Sequence, residues 1–149
     1  MDKEKIYQEL IPQIKALING ESDFIANLGN IAASIHFAFN FHWTGFYLVK
    51  NNELVLGPFQ GPMACTRIGL GKGVCGTAWK KKAPQLVNDV NQFEGHIACS
   101  PHSKSEIVIP LISEGEIWGV FDIDSSFYNN FDSTDLHYLT LICTLFKNT

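Results

Sequence analysis

Between residues 3 and 18, Ile6, Leu10, Ile14 and Leu17 recur at intervals of four, four and three, the apolar face of an amphipathic helix. Pro12 lies inside that stretch, which predicts a kink or two short helices. Asn19-Gly20 ends it, and Ser22 or Asp23 can cap a second helix carrying Ile25, Leu28, Ile31, Ala32, Ile35 and Phe39 on one side. From Phe41 to Val49 the pattern turns aromatic and β-branched, with Phe41, Trp43, Tyr47 and Val49 on one parity, as in a strand with both faces partly buried. Asn51-Asn52 is a hairpin turn before a second strand, Glu53 to Leu56, which Gly57-Pro58 and Gly61-Pro62 break. Met63 to Ile68 is short and strand-like. After the flexible run of Gly69, Gly71 and Gly73, a short helix spans Val74 to Lys82. Leu86-Val87 is a brief strand, and Asp89 to Phe93 a turn or short helical segment. Two longer strands, Glu106 to Ile112 and Glu116 to Asp124, join at Ser113-Glu114-Gly115. Asp132 to Asp135 caps a last helix with Leu136, Leu139, Leu141, Ile142 and Leu145 on its apolar side. Helices at both ends and strands between predict an α+β fold. One face of a central antiparallel sheet packs on the terminal helices and the other is left for a pocket.

Composition narrows the function classes. A chain of 149 residues with 46% hydrophobic side chains has the size of one domain with a real core, so residues 1–149 are read as a single domain. The net charge of −4 argues against nucleic acid as a partner, and Lys80-Lys81-Lys82 reads as a solvated helix end. The charged start, with no apolar run after it, carries no secretory signal, and no stretch approaches a membrane span. The expected location is therefore cytoplasmic, where Cys65, Cys75, Cys99 and Cys143 rest as thiols and a disulfide is catalytic or regulatory. Cys143, among Leu141, Ile142 and Leu145, is read as core.

Three constellations can carry chemistry. In the loop from Gly95 to Glu106, Cys99 stands between Ala98 and Ser100 with His96 and His102 three residues to either side. Such a setting can lower a thiol pKa, although a small buried hydrophobe is the plainer reading of a free Cys. Cys65 and Cys75 lie in lightly packed contexts near Arg67 and Lys72, whose charge favours thiolates; three such cysteines suit thiol–disulfide exchange, or are unrelated small residues. Asp122 and Asp124, two apart on a strand, point to one face together with Trp118 and Val120. With Glu106 they form either a sheet end meeting solvent or a carboxylate cluster lining a pocket, able to bind an ammonium group or stay partly protonated. The His96, Cys99, His102 spacing is not a usual zinc pattern, so no metal is expected.

The stretches Gly61 to Ile68, Gly71 to Ala78, Asn88 to Val90, Gly95 to Cys99, Ser105 to Leu111 and Gly119 to Ser125 closely resemble the GAF-domain free methionine-(R)-sulfoxide reductases. The likeness covers nearly the whole chain and includes the three-cysteine spacing that generic GAF domains lack. It implies a single GAF domain over 1–149 that reduces free L-methionine-(R)-sulfoxide. It also implies Cys99 as nucleophile, Cys65 as main resolving cysteine and Cys75 as an additional or alternative one. Glu106 and Asp124 would surround the sulfoxide oxygen, Asp122 would hold the substrate ammonium, and Trp43 and Tyr47 would pack on its side chain. Thioredoxin as reductant, no cofactor and a homodimer are further implications. The rival readings are a ligand-sensing module of the same fold, for which a chain of this length leaves no room for an output domain, and a zinc-binding adaptor.

Overall fold

The computed structural model describes residues 2–96 and 101–147. Helices α1 (Lys3–Ile18) and α2 (Phe24–Phe39) precede strands β1 (Trp43–Lys50), β2 (Glu53–Gln60) and β3 (Arg67–Ile68). Helix α3 (Gly73–Lys81) and β4 (Gln85–Val87) follow, then β5 (Ser105–Ser113), β6 (Glu116–Ser125) and α4 (Ser133–Cys143). All six strands form one antiparallel sheet in the order β3-β2-β1-β6-β5-β4. Both long hairpins turn on residues with positive φ, Asn51-Asn52 and Glu114-Gly115, the backbone a two-residue connection demands.

The two faces of the sheet do different work, as the pattern predicts. On one, Phe46, Leu48, Ile107, Ile109, Leu111, Phe121 and Ile123 pack against α1, α2 and α4. On the other, Trp43, Tyr47, Val108 and Val120 meet α3 and form a second, smaller apolar cluster. Asp23 caps α2 through Ala26 N at 3.0 Å, and Asp132 with Asp135 closes a capping box on α4. Asp135 is itself buried and accepts from Tyr7 Oη at 2.7 Å and Lys3 Nζ at 2.6 Å, which ties the first helix to the last. No helix is long and apolar enough to cross a membrane among the described residues.

Several expectations need correction. Helix α1 runs unbroken through Pro12, because Pro12 and Gln8, whose carbonyl loses its partner, both lie on the exposed face. The buried stripe is Tyr7, Leu10, Ile11 and Ile14, while Leu17, Ile25 and Leu141 face outward. Strand β2 does not stop at Leu56 but runs to Gln60. Tyr47 pairs with Leu56 and Gly45 with Phe59, so Gly57 and Pro58 form a bulge in which proline's missing N–H costs no ladder bond. The strand expected over Met63 to Ile68 shrinks to Arg67–Ile68. Trp118 does not share the face of Asp122. Leu111 pairs with Gly119 and Ile112 with Ile117, leaving Trp118 as the extra residue of a bulge. It turns to the helical side and meets the rings of Phe24 and Phe146 edge-on at 6.4 and 6.2 Å.

Candidate active site

The pocket lies on the α3 side of the sheet, and cross-strand register assembles its polar wall. Glu106 on β5 stands opposite Asp124 on β6, which stands opposite Trp43 on β1. Asp122, two residues before Asp124, points to the same face and pairs with Val108 and Gly45, and Tyr47 pairs with Val120. Three carboxyls therefore face two aromatic rings across a small cleft of about 50 Å³. The first turn of α3 closes one side with Gly73, Val74 and Cys75, and Ala64, His96 and Ser103 contribute to the rim.

The aromatic wall is fixed from behind. Trp43 and Tyr47 stack with ring centroids 5.9 Å apart, and Phe59 also stacks on Trp43 at 5.2 Å. A Cβ on Gly45 would collide with Phe59 and with Trp43, so this close ring packing requires glycine there. Both rings use their polar ends to hold the irregular segment that carries Cys65. Trp43 Nε1 donates to Pro62 O at 3.1 Å, and Tyr47 Oη donates to Cys65 O at 2.8 Å. Cys65 is disulfide-bonded, and Cys75 and Cys143 are free.

The electrostatics of the carboxyl wall follow from crowding in a dry place. Glu106 is 7% and Asp122 5% exposed, and no salt bridge among the described residues reaches either or Asp124. Burial, then the charges of Asp122 and Asp124, push Glu106 well above the usual carboxyl range. Burial and the charge of Asp122 do the same to Asp124. Asp122 is also raised by burial, but hydrogen bonds from Glu106 and Cys75 and the charge of His96 oppose the shift. All three carboxyls are therefore raised, and Asp122 is the one whose hydrogen-bond partners and neighbouring histidine most oppose the rise. One oxygen of Asp122 and one of Asp124 are buried with no hydrogen-bond partner, a cost that a ligand's donors would remove.

A family model for the GAF domain matches residues 25–148. The chain is 46% identical over 136 residues to a free methionine-R-sulfoxide reductase of Escherichia coli, covering 91% of this chain and 82% of that one. It is 56% identical over 147 residues to GAF domain-containing protein A of Dictyostelium discoideum, covering 98% and 93%. The X-ray structure of free methionine-R-sulfoxide reductase from Neisseria meningitidis in complex with its substrate superposes with a TM-score of 0.95. That match has 50% identity and covers 97% of this chain and 88% of that one. The chain belongs to the GAF-domain family of free methionine-R-sulfoxide reductases. The curled six-stranded sheet with its helices makes an α+β fold that matches the solved GAF domains similar to it.

Within this GAF domain the structure brings together Trp43, Tyr47, Cys75, Glu106, Asp122 and Asp124 around one cavity, with Cys65 in the segment hung from its aromatic wall. Cys99 lies outside the described residues. The loop expected from Gly95 to Glu106 ends earlier, since Ser105 and Glu106 already belong to β5. Cys75 departs from the thiolate expectation. Burial, then the charges of Asp122, Glu106 and Asp124, push its thiol pKa well up, and Lys72 does not offset three carboxyls. Arg67 is spent on an exposed ion pair with Glu53 at 3.2 Å. Cys143 is free and packed against the helical core, where burial raises its pKa. Phe59 and Ser103 are site neighbours that the pattern does not reveal. Phe59 was hidden by the apparent end of β2, and Ser103 carries no local signal.

Proposed function

We propose that this protein reduces free L-methionine-(R)-sulfoxide to methionine. The observation that carries the reading is the triad Glu106, Asp122 and Asp124, which shares one pocket with Trp43 and Tyr47, has two members buried, and is joined by no salt bridge among the described residues. A free amino acid supplies what this wall lacks. Its ammonium pairs with Asp122, its thioether carbons rest on the two rings, and its carboxylate meets the amide groups at the N-terminus of α3, where Lys72 offers no side-chain cap. The sulfoxide oxygen then lies against Glu106 and Asp124, two carboxyls whose raised pKa values suit a proton donor.

In the proposed reaction the Cys99 thiolate attacks the sulfoxide sulfur while Glu106 or Asp124 donates a proton to the oxygen. Methionine leaves, and the oxygen remains on Cys99 as a sulfenic acid. Cys65 attacks that sulfur, releasing water and forming a disulfide; the disulfide-bonded state of Cys65 supports this role. Cys75, with its raised pKa, serves as an alternative resolving thiol only after a carboxyl accepts its proton. A thioredoxin-type dithiol returns the disulfide to thiols by exchange. No metal or organic cofactor takes part. Such a cycle needs a reducing compartment, hence a cytoplasmic location, and the homodimer follows from the family resemblance.

The test is NADPH consumption with thioredoxin and its reductase on the free R form, the free S form and the N-acetylated R form. The reading expects turnover of the first alone. Absence of turnover on the free R form with a competent reductant refutes it.

A further inference from the structure

The floor of the pocket holds a donor set that the redox cycle does not use as such. Cys75 Sγ and one carboxylate oxygen each from Glu106 and Asp122 all lie within 4.8 Å of one another. All three residues are more than nine-tenths buried, at 4%, 7% and 5% exposure. They project from three regular elements, α3, β5 and β6, so their spacing is held by the scaffold and not by loops. Asp122 keeps an oxygen buried without a hydrogen-bond partner, and so does Asp124 beside it. Buried carboxylates in this state call for a cation.

The donor types select which one. Calcium and magnesium take oxygen ligands alone, whereas a thiolate with two carboxylates suits a borderline or soft ion such as Zn²⁺ or Cd²⁺. With metal–ligand bonds of roughly 2.0–2.3 Å, donors on a common ion stand about 3.5 Å apart, so the three side chains need to close by only about 1 Å. We propose that the substrate-free pocket binds one soft divalent cation on Cys75, Glu106 and Asp122. Coordination forms the sulfur–metal and two carboxylate–metal bonds and releases the thiol proton and the proton held on Glu106 to solvent; nothing is oxidised. The cation takes the place assigned above to the substrate ammonium, so metal and amino acid exclude each other and the ion is a competitive inhibitor. That last clause rests on the proposed substrate; the metal site itself does not.

The experiment titrates Cd²⁺ into the reduced full-length protein, freed of reductant, and follows the ultraviolet cadmium–thiolate charge-transfer band. One equivalent should bind, Zn²⁺ should displace it and Mg²⁺ should not. The band should disappear in Cys75→Ser and persist in Cys143→Ser and in a Cys65→Ser/Cys99→Ser double variant. Asp122→Asn should bind roughly 10- to 100-fold more weakly, with circular dichroism confirming that each variant is folded. No band in the wild type, or a band that survives Cys75→Ser, overturns the site. Excess free methionine should weaken Cd²⁺ binding. Binding through Cys75 that methionine leaves unchanged keeps the metal site and counts against the ammonium on Asp122.

Discussion

Replacing Asp122 by Asn tests the assignment of its charge. Asp122 is 5% exposed and held between Val108 and Gly45 in the neighbouring strands, so the amide fits the same space. What changes is a charge-assisted hydrogen bond to a buried ammonium, worth more than a neutral one because little water competes. Losing one partner of such a pair costs roughly 2–4 kcal/mol, or about 30- to 1000-fold in kcat/KM. In the proposed pose the contact exists before and during the chemical step, so the loss should appear mainly in KM. Acetylating the substrate amine removes the other partner and should cost the wild type a similar factor. The informative quantity is the cycle: in Asp122→Asn, acetylation should cost almost nothing further. The assay compares kcat/KM of both proteins on free and N-acetylated methionine-R-sulfoxide at constant thioredoxin. If the ratio between the two substrates in the variant stays within about twofold of the wild-type ratio, the two losses are additive and Asp122 does not read the amine.

Tyr47→Phe removes the bond to Cys65 O without emptying the apolar wall. It should slow disulfide formation, seen as longer-lived Cys99 sulfenic acid by dimedone trapping, with methionine affinity changed by less than about threefold. Asp124, whose folded-state pKa burial raises above the unfolded value, binds its proton more tightly when folded, so its contribution to stability is present at low pH and lost as pH rises through the folded pKa. Asp124→Asn should therefore raise the urea midpoint at neutral pH, flatten its decline from acid to neutral, and lower kcat. Cys143→Ala should leave kcat unchanged and cost about 1 kcal/mol in denaturant titration, since it packs against the core away from the pocket.

Much of the fold is legible because it is local. The caps at Asp23 and Asp132, the turns at Asn51-Asn52 and Glu114-Gly115, and the shared parity of Asp122 and Asp124 depend on neighbours a few residues apart. What local pattern misses is register. Gly57-Pro58 reads as an end of strand and is a bulge, so Phe59, the backing of Trp43, goes unseen. The expected charge on Cys75 fails for a related reason. Lys72 is near in sequence, but the carboxyls that decide the thiol's pKa arrive from β5 and β6.

The bulge at Trp118 shows how far such a detail reaches. Counted regularly outward from the Ser113–Glu116 pair beside the turn, Asp124 would face Ser105. The extra residue shifts the register by one beyond Leu111, so Asp124 faces Glu106 instead. A one-residue shift in a sheet exchanges the two faces, so without the bulge Glu106 could not pair with Asp124 on the pocket side. The ring of Trp118 secures the bulge by filling the helical side between Phe24 and Phe146, on the face of the sheet opposite the pocket. The polar wall of the site is therefore set by packing on the opposite face of the sheet. The bulge that sets Asp124 opposite Glu106, and so adds its charge to the burial that already raises the Glu106 pKa, is held by a tryptophan packed on the other face of the sheet.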